Sequence, residues 1–416
     1  PRPWFYLKLK HTGVRMKSMK INLQPVIDFG KMPIANAFLT EDQFKDEFFY
    51  NMVLGYDPET HAIGLVNTVP PEKMFHDHYA FFSSTSKGMQ KHFKETAQKL
   101  LPYAGKGIVV EVGSNDGIML EAWKEFGVKA IGVEPSANVA KISKSHGHEV
   151  LVEFMTPKTV DIILSQGKVS LVYGANVSCH IEKFYEYLEC VTRLIGEEGV
   201  FVFEDPYFMD IVEKTSYDQI YDEHVWYFTI SFINKILKPL RFHVFDCEHI
   251  EVHGGELRMY VGHIDTHPEK PVVKEWLVKE ANLPAKLETL KNNVVQSKIK
   301  LVEILENLKR EGKKIVGFGA TSKATTVFNY CGIGPDLIPF VTDTTPIKQG
   351  KYYPGVHIPV VPQDIFEAGK TDPSKFIDYA FLGAWNHFKE IDQYQSWFKR
   401  AGGKWITHVP MPRIID

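Results

Sequence analysis

The chain reads as an α/β protein, with a doubly wound sheet at its centre, a small loop-rich unit before it and a second α/β unit after it. Three observations predict this. Residues 108–136 run strand, glycine turn, helix, strand. Apolar runs at 169–173 and 199–203 continue the alternation. After a long segment with an apolar stripe, the strand–glycine–helix order returns at 314–328.

Composition bounds the rest. The 416 residues carry a net charge of −3, with 44% hydrophobic and 24% charged residues. That is ordinary for a globular chain of two or three domains. A balance this near neutral gives no electrostatic footprint for nucleic acid or an anionic membrane, and no apolar run is long enough to span a bilayer. The start, PRPWFYLKLKHTGVRMKSMK, is basic but lacks the apolar core and cleavage site of a signal peptide. Cys179, Cys190, Cys247 and Cys331 show no paired spacing. A reduced, cytoplasmic monomer or homodimer is expected.

Residues 1–75 hold short apolar runs at 21–23, 25–29, 52–54 and 63–66, broken by turn residues, which predicts a small N-terminal domain. Residues 73–93 are dense in His, Tyr, Phe and Ser. The spacing of Met89, Phe93, Leu100 and Leu101 predicts an amphipathic helix for the second half. His76, His78 and Tyr79 read either as a packed aromatic hinge or as a lid over the domain that follows.

That domain, 76–265, opens with the cofactor signature. Ile108, Val109, Val110 and Val112 flank Glu111 in a run suited to a buried parallel strand. Gly113-Ser114-Asn115-Asp116-Gly117 makes the turn, and Ala130–Val133 leads to Glu134-Pro135-Ser136. Glu134 lies 134 − 113 = 21 positions after the first glycine, where a strand-end carboxylate can accept from two ribose hydroxyls. The spacing is Gly-x-x-x-Gly, with Asn115 where a dinucleotide fold needs a glycine. Glu111 would repel a pyrophosphate but could receive an amino acid's ammonium group. This favours S-adenosylmethionine over NAD, with Glu111, Gly113, Asn115, Gly117, Glu134, Pro135, Ser136 and Asn176 as cofactor-binding candidates.

Ligands of open α/β sheets gather at the carboxyl ends of strands, which singles out Asn176, His180, Glu204 and Asp205. The segment TSYDQIYDEHVWYF at 215–228 interleaves aromatic, acidic and His residues. On a helix, Tyr217, Tyr221 and His224 fall at i, i+4 and i+7, on one face. The run HGGELRMYVGH at 253–263 closes the domain with a glycine pair and a strand. In the helical linker, 266–312, Leu283, Leu287, Leu290, Val294, Leu301, Leu305 and Leu308 form an apolar stripe over 284–312, stopped by Gly312. In the last unit, 313–416, Gly317, Gly319 and Lys323 resemble a phosphate-binding turn, and a final strand is expected at 405–409.

EVGSNDGIML, GVEPS, ANVSCHI, FEDPY, YDQIYDEH, VHGGE, GFGATSKA, DTTPIKQ and AWNH, in this order, resemble the nucleotide-sugar C-methyltransferases of deoxysugar biosynthesis, which add a methyl branch at C-3 of a 4-keto sugar on dTDP. The resemblance covers about 24–413 and implies a class I SAM-methyltransferase, Rossmann-like domain between a small N-terminal domain and a C-terminal Rossmann-like α/β domain that helps hold the nucleotide sugar. It makes Lys323, Asn329, Thr344, Lys348, Gln349, Asn386 and His387 the substrate-binding candidates. Members of the family usually carry an N-terminal zinc site built from two cysteine pairs. This chain has no cysteine before Cys179, and Asp57 and Thr60 stand where the second pair would fall. His11 and His61 cannot complete a tetrahedral set alone, so no zinc is expected.

Methylating a saturated carbon requires first removing a proton, which a neighbouring ketone permits by spreading charge onto oxygen. The site needs a base near neutral pH and donors for the oxyanion. The resemblance places these roles on YDEH, with His224 as base and Tyr221 as enolate donor, supported by Glu223, Tyr79 and His180. Spacing does not decide between His224 and His180 as base. Two other readings exist: an NAD-linked enzyme using Gly317-x-Gly319, whose third glycine position holds Ser322, and a binding protein without activity.

Overall fold

The computed structural model describes residues 20–70, 87–252 and 254–415. Tyr79, His76 and His78 lie outside the described residues, as does His11. Among the described residues the strands form three sheets.

The first sheet is antiparallel and joins β1 (Gln24–Pro33), β2 (Phe49–Tyr56) and β3 (Ile63–Leu65). Helix α1 (Lys87–Ala104) has the spacing expected of it, burying Phe93, Ala97 and Leu100. The second sheet takes β4 (Ile108–Val112), β5 (Ala130–Val133), β6 (Glu149–Leu151), β7 (Val169–Ala175) and β8 (Val200–Pro206), with α2 (Ile118–Glu125) after β4. Then comes β9 (Trp226–Tyr227), too short to show in sequence. It pairs with β3, so the segment after β8 is stitched into the N-terminal sheet. β10 (Phe242–Ile250) and β11 (Glu256–His263) complete the second sheet in the order β10-β11-β8-β7-β4-β5-β6. Pairing from β6 to β8 is parallel; β11 is antiparallel to both β8 and β10. β4 is fully buried, as its apolar run required. The chain winds outward from β4 to β6 and returns on the other side at β7, so the crevice of this sheet opens between the carboxyl ends of β4 and β7.

The apolar stripe of the linker becomes α3 (Leu283–Arg310), with Leu283, Leu287, Leu290, Val294, Leu301, Leu305 and Leu308 all buried. It packs on β1, on the helix Phe208–Lys214 and on α4 (Ser322–Cys331). One helix thereby ties all three units. The third sheet has β12 (Ile315–Phe318), β13 (Val341–Asp343), β14 (Val360–Pro362), β15 (Tyr379–Leu382), β16 (Lys404–Thr407) and β17 (Arg413–Ile415), in the order β14-β13-β12-β15-β16-β17. It is parallel except for β17, an extra hairpin strand beyond the expected last one.

The helix expected at 215–228 does not form. Tyr217–Gln219 makes a single 3₁₀ turn, Ile220 is extended, and β9 follows. The physical reason is tertiary: Asp218 and Asp222 of this segment are each taken by a distant partner. Asp218 accepts from the Trp385 indole N–H at 2.6 Å, and Asp222 accepts from the Ala35 backbone N–H at 2.8 Å.

Candidate active site

The cofactor candidates converge on the crevice of the central sheet. Gly113 (φ 69°) turns the chain out of β4, and a Cβ there would lie 2.2 Å from the Val177 methyl. Asn115 (φ 48°) and Gly117 (φ 89°) continue the left-handed turn, and Gly117 caps α2. Glu134 ends β5 and reaches back across the turn, accepting from the backbone N–H of Asn115 at 2.9 Å and of Ser136 at 2.8 Å. Burial raises its pKa against the pull of those two N–H groups. Ser136 opens the next helix, with Pro135 before it. Asn176 (φ 53°) leaves β7 on the opposite wall, its N–H bonded to the Glu204 carbonyl at 2.8 Å. Glu111 is 4% exposed, and its Oε2 has no hydrogen-bond partner. Burial, with Glu134 and Asp116 adding repulsion, pushes its pKa well up. A buried acceptor left open beside a glycine turn is what a ligand's ammonium group would complete. These residues fit an adenosyl amino acid cofactor.

A buried ion cluster braces this floor. Arg258 on β11 donates to Glu204 at 2.8 and 3.0 Å and also reaches Glu248 and Thr96. Burial alone would push Glu204 up, but the His92 hydrogen bond at 3.0 Å and the Arg258 guanidinium outweigh it and hold its pKa low.

The acid–base candidates meet without a helix. His224 Nδ1 lies 3.0 Å from the Gln219 carbonyl, which fixes the proton on Nδ1 and leaves Nε2 as the acceptor. The Tyr221 hydroxyl then donates to Nε2 at 3.0 Å. Burial, reinforced by Glu223, pushes the Tyr221 pKa well up, so the hydroxyl keeps its proton. His180 sits with its ring centroid 5.3 Å from that of His224 and donates from Nδ1 to the Glu223 carbonyl at 2.5 Å. Glu223 thus orients His180 through its backbone, while its carboxylate accepts from Asn36 of the N-terminal unit at 2.6 Å. Cys179, His180 and His224 are the one group of His, Cys and acidic side chains within metal-ligand reach of one another among the described residues.

The substrate candidates divide. Lys323, at the N-terminus of α4, is half-buried and faces inward, electrostatically coupled to Asp218 and Glu256. Burial lowers its pKa. Lys348 donates to the Ala320 carbonyl at 2.7 Å and Gln349 to the Asp343 carbonyl at 2.9 Å, so both brace the turn after β12. Asn329 is spent on the carbonyls of Thr325 and Pro354. Thr344 and His387 are exposed, and Asn386 lies half-buried in the turn after Trp385. At the glycine turn after β12, Asp343 at the end of β13 accepts from the Ala320 N–H at 2.6 Å, and it also accepts from the Thr345 N–H at 2.7 Å in its own loop. Asp218 and Trp385, both in segments the sequence singled out, meet here with His408, which sequence reasoning missed; His408 Nε2 lies 3.3 Å from Asp218.

In the N-terminal unit Asp57 and Thr60 hydrogen-bond to each other at 2.8 Å. Asp57 also accepts from the N–H groups of Asn22 at 3.1 Å and Glu59 at 2.9 Å. Its oxygens are spent, and residues 19–75 contain no cysteine. Among the described residues of this unit, the donors do not fit a tetrahedral zinc site.

Three family models match in succession. A "Putative zinc binding domain" covers 19–75, a "Methyltransferase domain" covers 87–244, and a "C-methyltransferase C-terminal domain" covers 251–410. The chain is 28% identical over 401 residues to the C-methyltransferase NovU of Streptomyces niveus, covering 94% of each. Among solved structures, an S-adenosylmethionine-dependent methyltransferase of Clostridium acetobutylicum aligns at 11% identity with a TM-score of 0.33, over 42% of this chain and 92% of that one. One of Archaeoglobus fulgidus aligns at 20% identity with a TM-score of 0.32, over 38% and 71%. No described helix is long and apolar enough to cross a membrane. The chain thus reads as an S-adenosylmethionine-dependent C-methyltransferase similar to NovU, with a methyltransferase domain at 87–244, a C-methyltransferase C-terminal domain at 251–410 and the Rossmann-like methyltransferase fold at its centre.

Proposed function

We propose that the enzyme methylates the carbon beside the ketone of a nucleotide-linked 4-keto-deoxysugar, C-3 on a dTDP sugar, through an enolate. The observation that carries this reading is the buried Tyr221–His224 pair, whose imidazole is held by Gln219 with its acceptor nitrogen toward the phenol. A hydroxyl that keeps its proton beside a neutral imidazole acceptor is the pairing needed to pull a C–H proton while stabilising the oxygen that takes up the charge.

The residues would act as follows. On substrate entry the Tyr221 hydroxyl turns its hydrogen bond from His224 to the ketone oxygen. That frees the Nε2 lone pair to take the proton from the adjacent carbon, and the Gln219 carbonyl steadies the imidazolium formed. His180, held by Glu223, stands close enough to share the base role. Glu111, Glu134 and Asn176 would hold S-adenosylmethionine, which supplies an electrophilic methyl group when bound. Lys323 and Trp385, from the C-terminal unit, would meet the nucleotide sugar, which places the reacting carbon between two domains and away from water. In this reading the N-terminal unit carries no zinc and is held by the Asp57–Thr60 hydrogen bonds. The four unpaired cysteines fit action in the reducing cytoplasm.

Incubating the purified enzyme with S-adenosylmethionine and a dTDP-4-keto-6-deoxysugar tests the reading. Mass spectrometry should find one methyl added on carbon, beside the ketone. Methylation on oxygen, or none, overturns it.

A further inference from the structure

Cys179, His180 and His224 are drawn together from two segments of chain, with 224 − 180 = 44 positions between the histidines. Cys179 and His180 end a 3₁₀ turn, Ser178–His180, beyond the carboxyl end of β7. The Val225 N–H donates to the Cys179 carbonyl at 2.8 Å, and the Trp226 indole N–H to the Ile181 carbonyl at 2.9 Å. Those bonds lock the turn to the chain that carries His224. One ligand atom from each of the three residues lies within 4.8 Å of the other two. Around a tetrahedral zinc, with bonds of about 2.0–2.3 Å, neighbouring ligand atoms stand about 3.5 Å apart, so closure by roughly an ångström completes the set.

The outer contacts are those of metal-ligating histidines. Such a histidine rests its second ring nitrogen on a carbonyl or carboxylate, which fixes the ring and gives the metal the other nitrogen. Both rings do so here, His180 Nδ1 on the Glu223 carbonyl at 2.5 Å and His224 Nδ1 on the Gln219 carbonyl at 3.0 Å. Nε2 of each is then the ligating atom. Cys179 is 1% exposed and His224 6%, so an ion bound among them sheds most of its water and needs anionic compensation. The thiolate supplies one charge. The carboxyls of Asp205 and Glu223, and of Glu256, which opens β11 opposite Pro206, bear on the same sulfur. Two imidazoles and one thiolate select Zn²⁺ or Cd²⁺ over Mg²⁺ or Ca²⁺.

We propose that Cys179, His180 and His224 form an inhibitory site for a thiophilic divalent cation. On binding, the Cys179 S–H bond breaks and its proton leaves to solvent as the metal–sulfur bond forms. The Tyr221 hydroxyl gives up Nε2 of His224 to the ion, and a water takes the fourth place. Both candidate bases are then capped. The capture is reversible, because each ligand regains its proton or hydrogen bond when a chelator takes the ion. Binding stands on the geometry alone, while the arrest of catalysis rests on the acid–base reading above.

Cobalt(II), titrated into the full-length folded enzyme after chelator treatment, tests the site. One equivalent should bind, giving a tetrahedral visible spectrum and a thiolate-to-cobalt charge-transfer band, both abolished by Zn²⁺ or EDTA. Cys179→Ser should remove the band, and His180→Asn should weaken binding by more than the roughly 10–100-fold that loss of an outer partner costs. Zn²⁺ should stop methylation of a dTDP-4-keto-6-deoxysugar by the wild type and leave Cys179→Ser active at the same concentration. A spectrum without the thiolate band, or one unchanged in Cys179→Ser, puts the ion elsewhere and overturns the site while the sugar-nucleotide reading stands. A filled site with methylation undiminished overturns the arrest and the base role of both histidines. If the enzyme methylates no such sugar, or the variants do not fold, the wild-type cobalt spectrum and stoichiometry decide the site.

Discussion

The hydroxyl of Tyr221 donates to Nε2 of His224 at 3.0 Å, while the opposite nitrogen of the same ring is anchored 3.0 Å from the Gln219 carbonyl. The ring is thus held between the two partners, with the phenol on its Nε2 side. In the proposed mechanism, a substrate oxygen that draws the phenol away would expose a base already in position.

Glu134 offers the first prediction. Its carboxylate closes the glycine turn by accepting from the backbone N–H groups of Asn115 and Ser136. Glu134→Ala should weaken S-adenosylmethionine binding by about 1.5–3 kcal/mol, the range for hydrogen bonds to a charged group. Glu134→Gln, which keeps one acceptor, should lose less. Calorimetry reads both, and wild-type affinity in Glu134→Ala would remove this residue from the site.

The second concerns metal. The Asp57, Thr60, Asn22 and Glu59 hydrogen bonds occupy the place of the family's second ligand pair. Metal analysis of the purified protein should find well below one zinc per chain, and a chelator should leave Tm unchanged. Asp57→Ala should cost about 1–3 kcal/mol, because it strands buried donors. A stoichiometric zinc released only on unfolding would show that ligands come from elsewhere.

The third is a pH dependence. Burial, with Glu223 adding repulsion, pushes Asp222 up to about 7 from 3.8, against the Ala35 N–H that favours its charged form. The folded protein therefore binds this proton more tightly than the unfolded chain. The stabilisation is complete below the unfolded value and is lost as pH rises toward about 7. Asp222→Asn keeps the acceptor for Ala35 and cannot ionise. From pH about 5 to about 8, wild-type stability should fall relative to this variant by a few kcal/mol at most, on the order set by the shift. Thermal melts across that range check it. Parallel pH profiles for the two proteins would mean that Asp222 titrates normally.

What the sequence disclosed is uneven, and the reasons are physical. The turn from Gly113 to Gly117 and the stripe of α3 were legible because local pattern alone dictates them. Glu134 and Asn176 were picked out by the rule that ligands sit at strand ends, and Asn115 by its place in the glycine turn. The segment around His224 was singled out for its residue types, yet its conformation was misjudged. Its side chains are held by Trp385 and Ala35, 167 and 187 positions away, and no local periodicity records such partners. Glu256 stayed hidden for a related reason. In sequence it opens a strand after two glycines, and only the register against Pro206 reveals where it lies. The hydrogen bond from Ala320 to Asp343 was not legible because it joins the ends of two neighbouring strands.

Proton removal is the account's central step, and isotope exchange measures it directly. The enzyme is mixed with a dTDP-4-keto-6-deoxysugar in deuterated water, with S-adenosylhomocysteine present so that methylation cannot compete. In the wild type the proton beside the ketone should exchange. His224→Asn should abolish both exchange and methylation while cofactor and sugar still bind. Tyr221→Phe should keep some exchange and lose turnover on the order of 10²–10³, the usual cost of one oxyanion donor. Exchange that survives His224→Asn and vanishes in His180→Asn would move the base to His180, and full activity in both variants would contradict the assignment of this pair as the reacting groups.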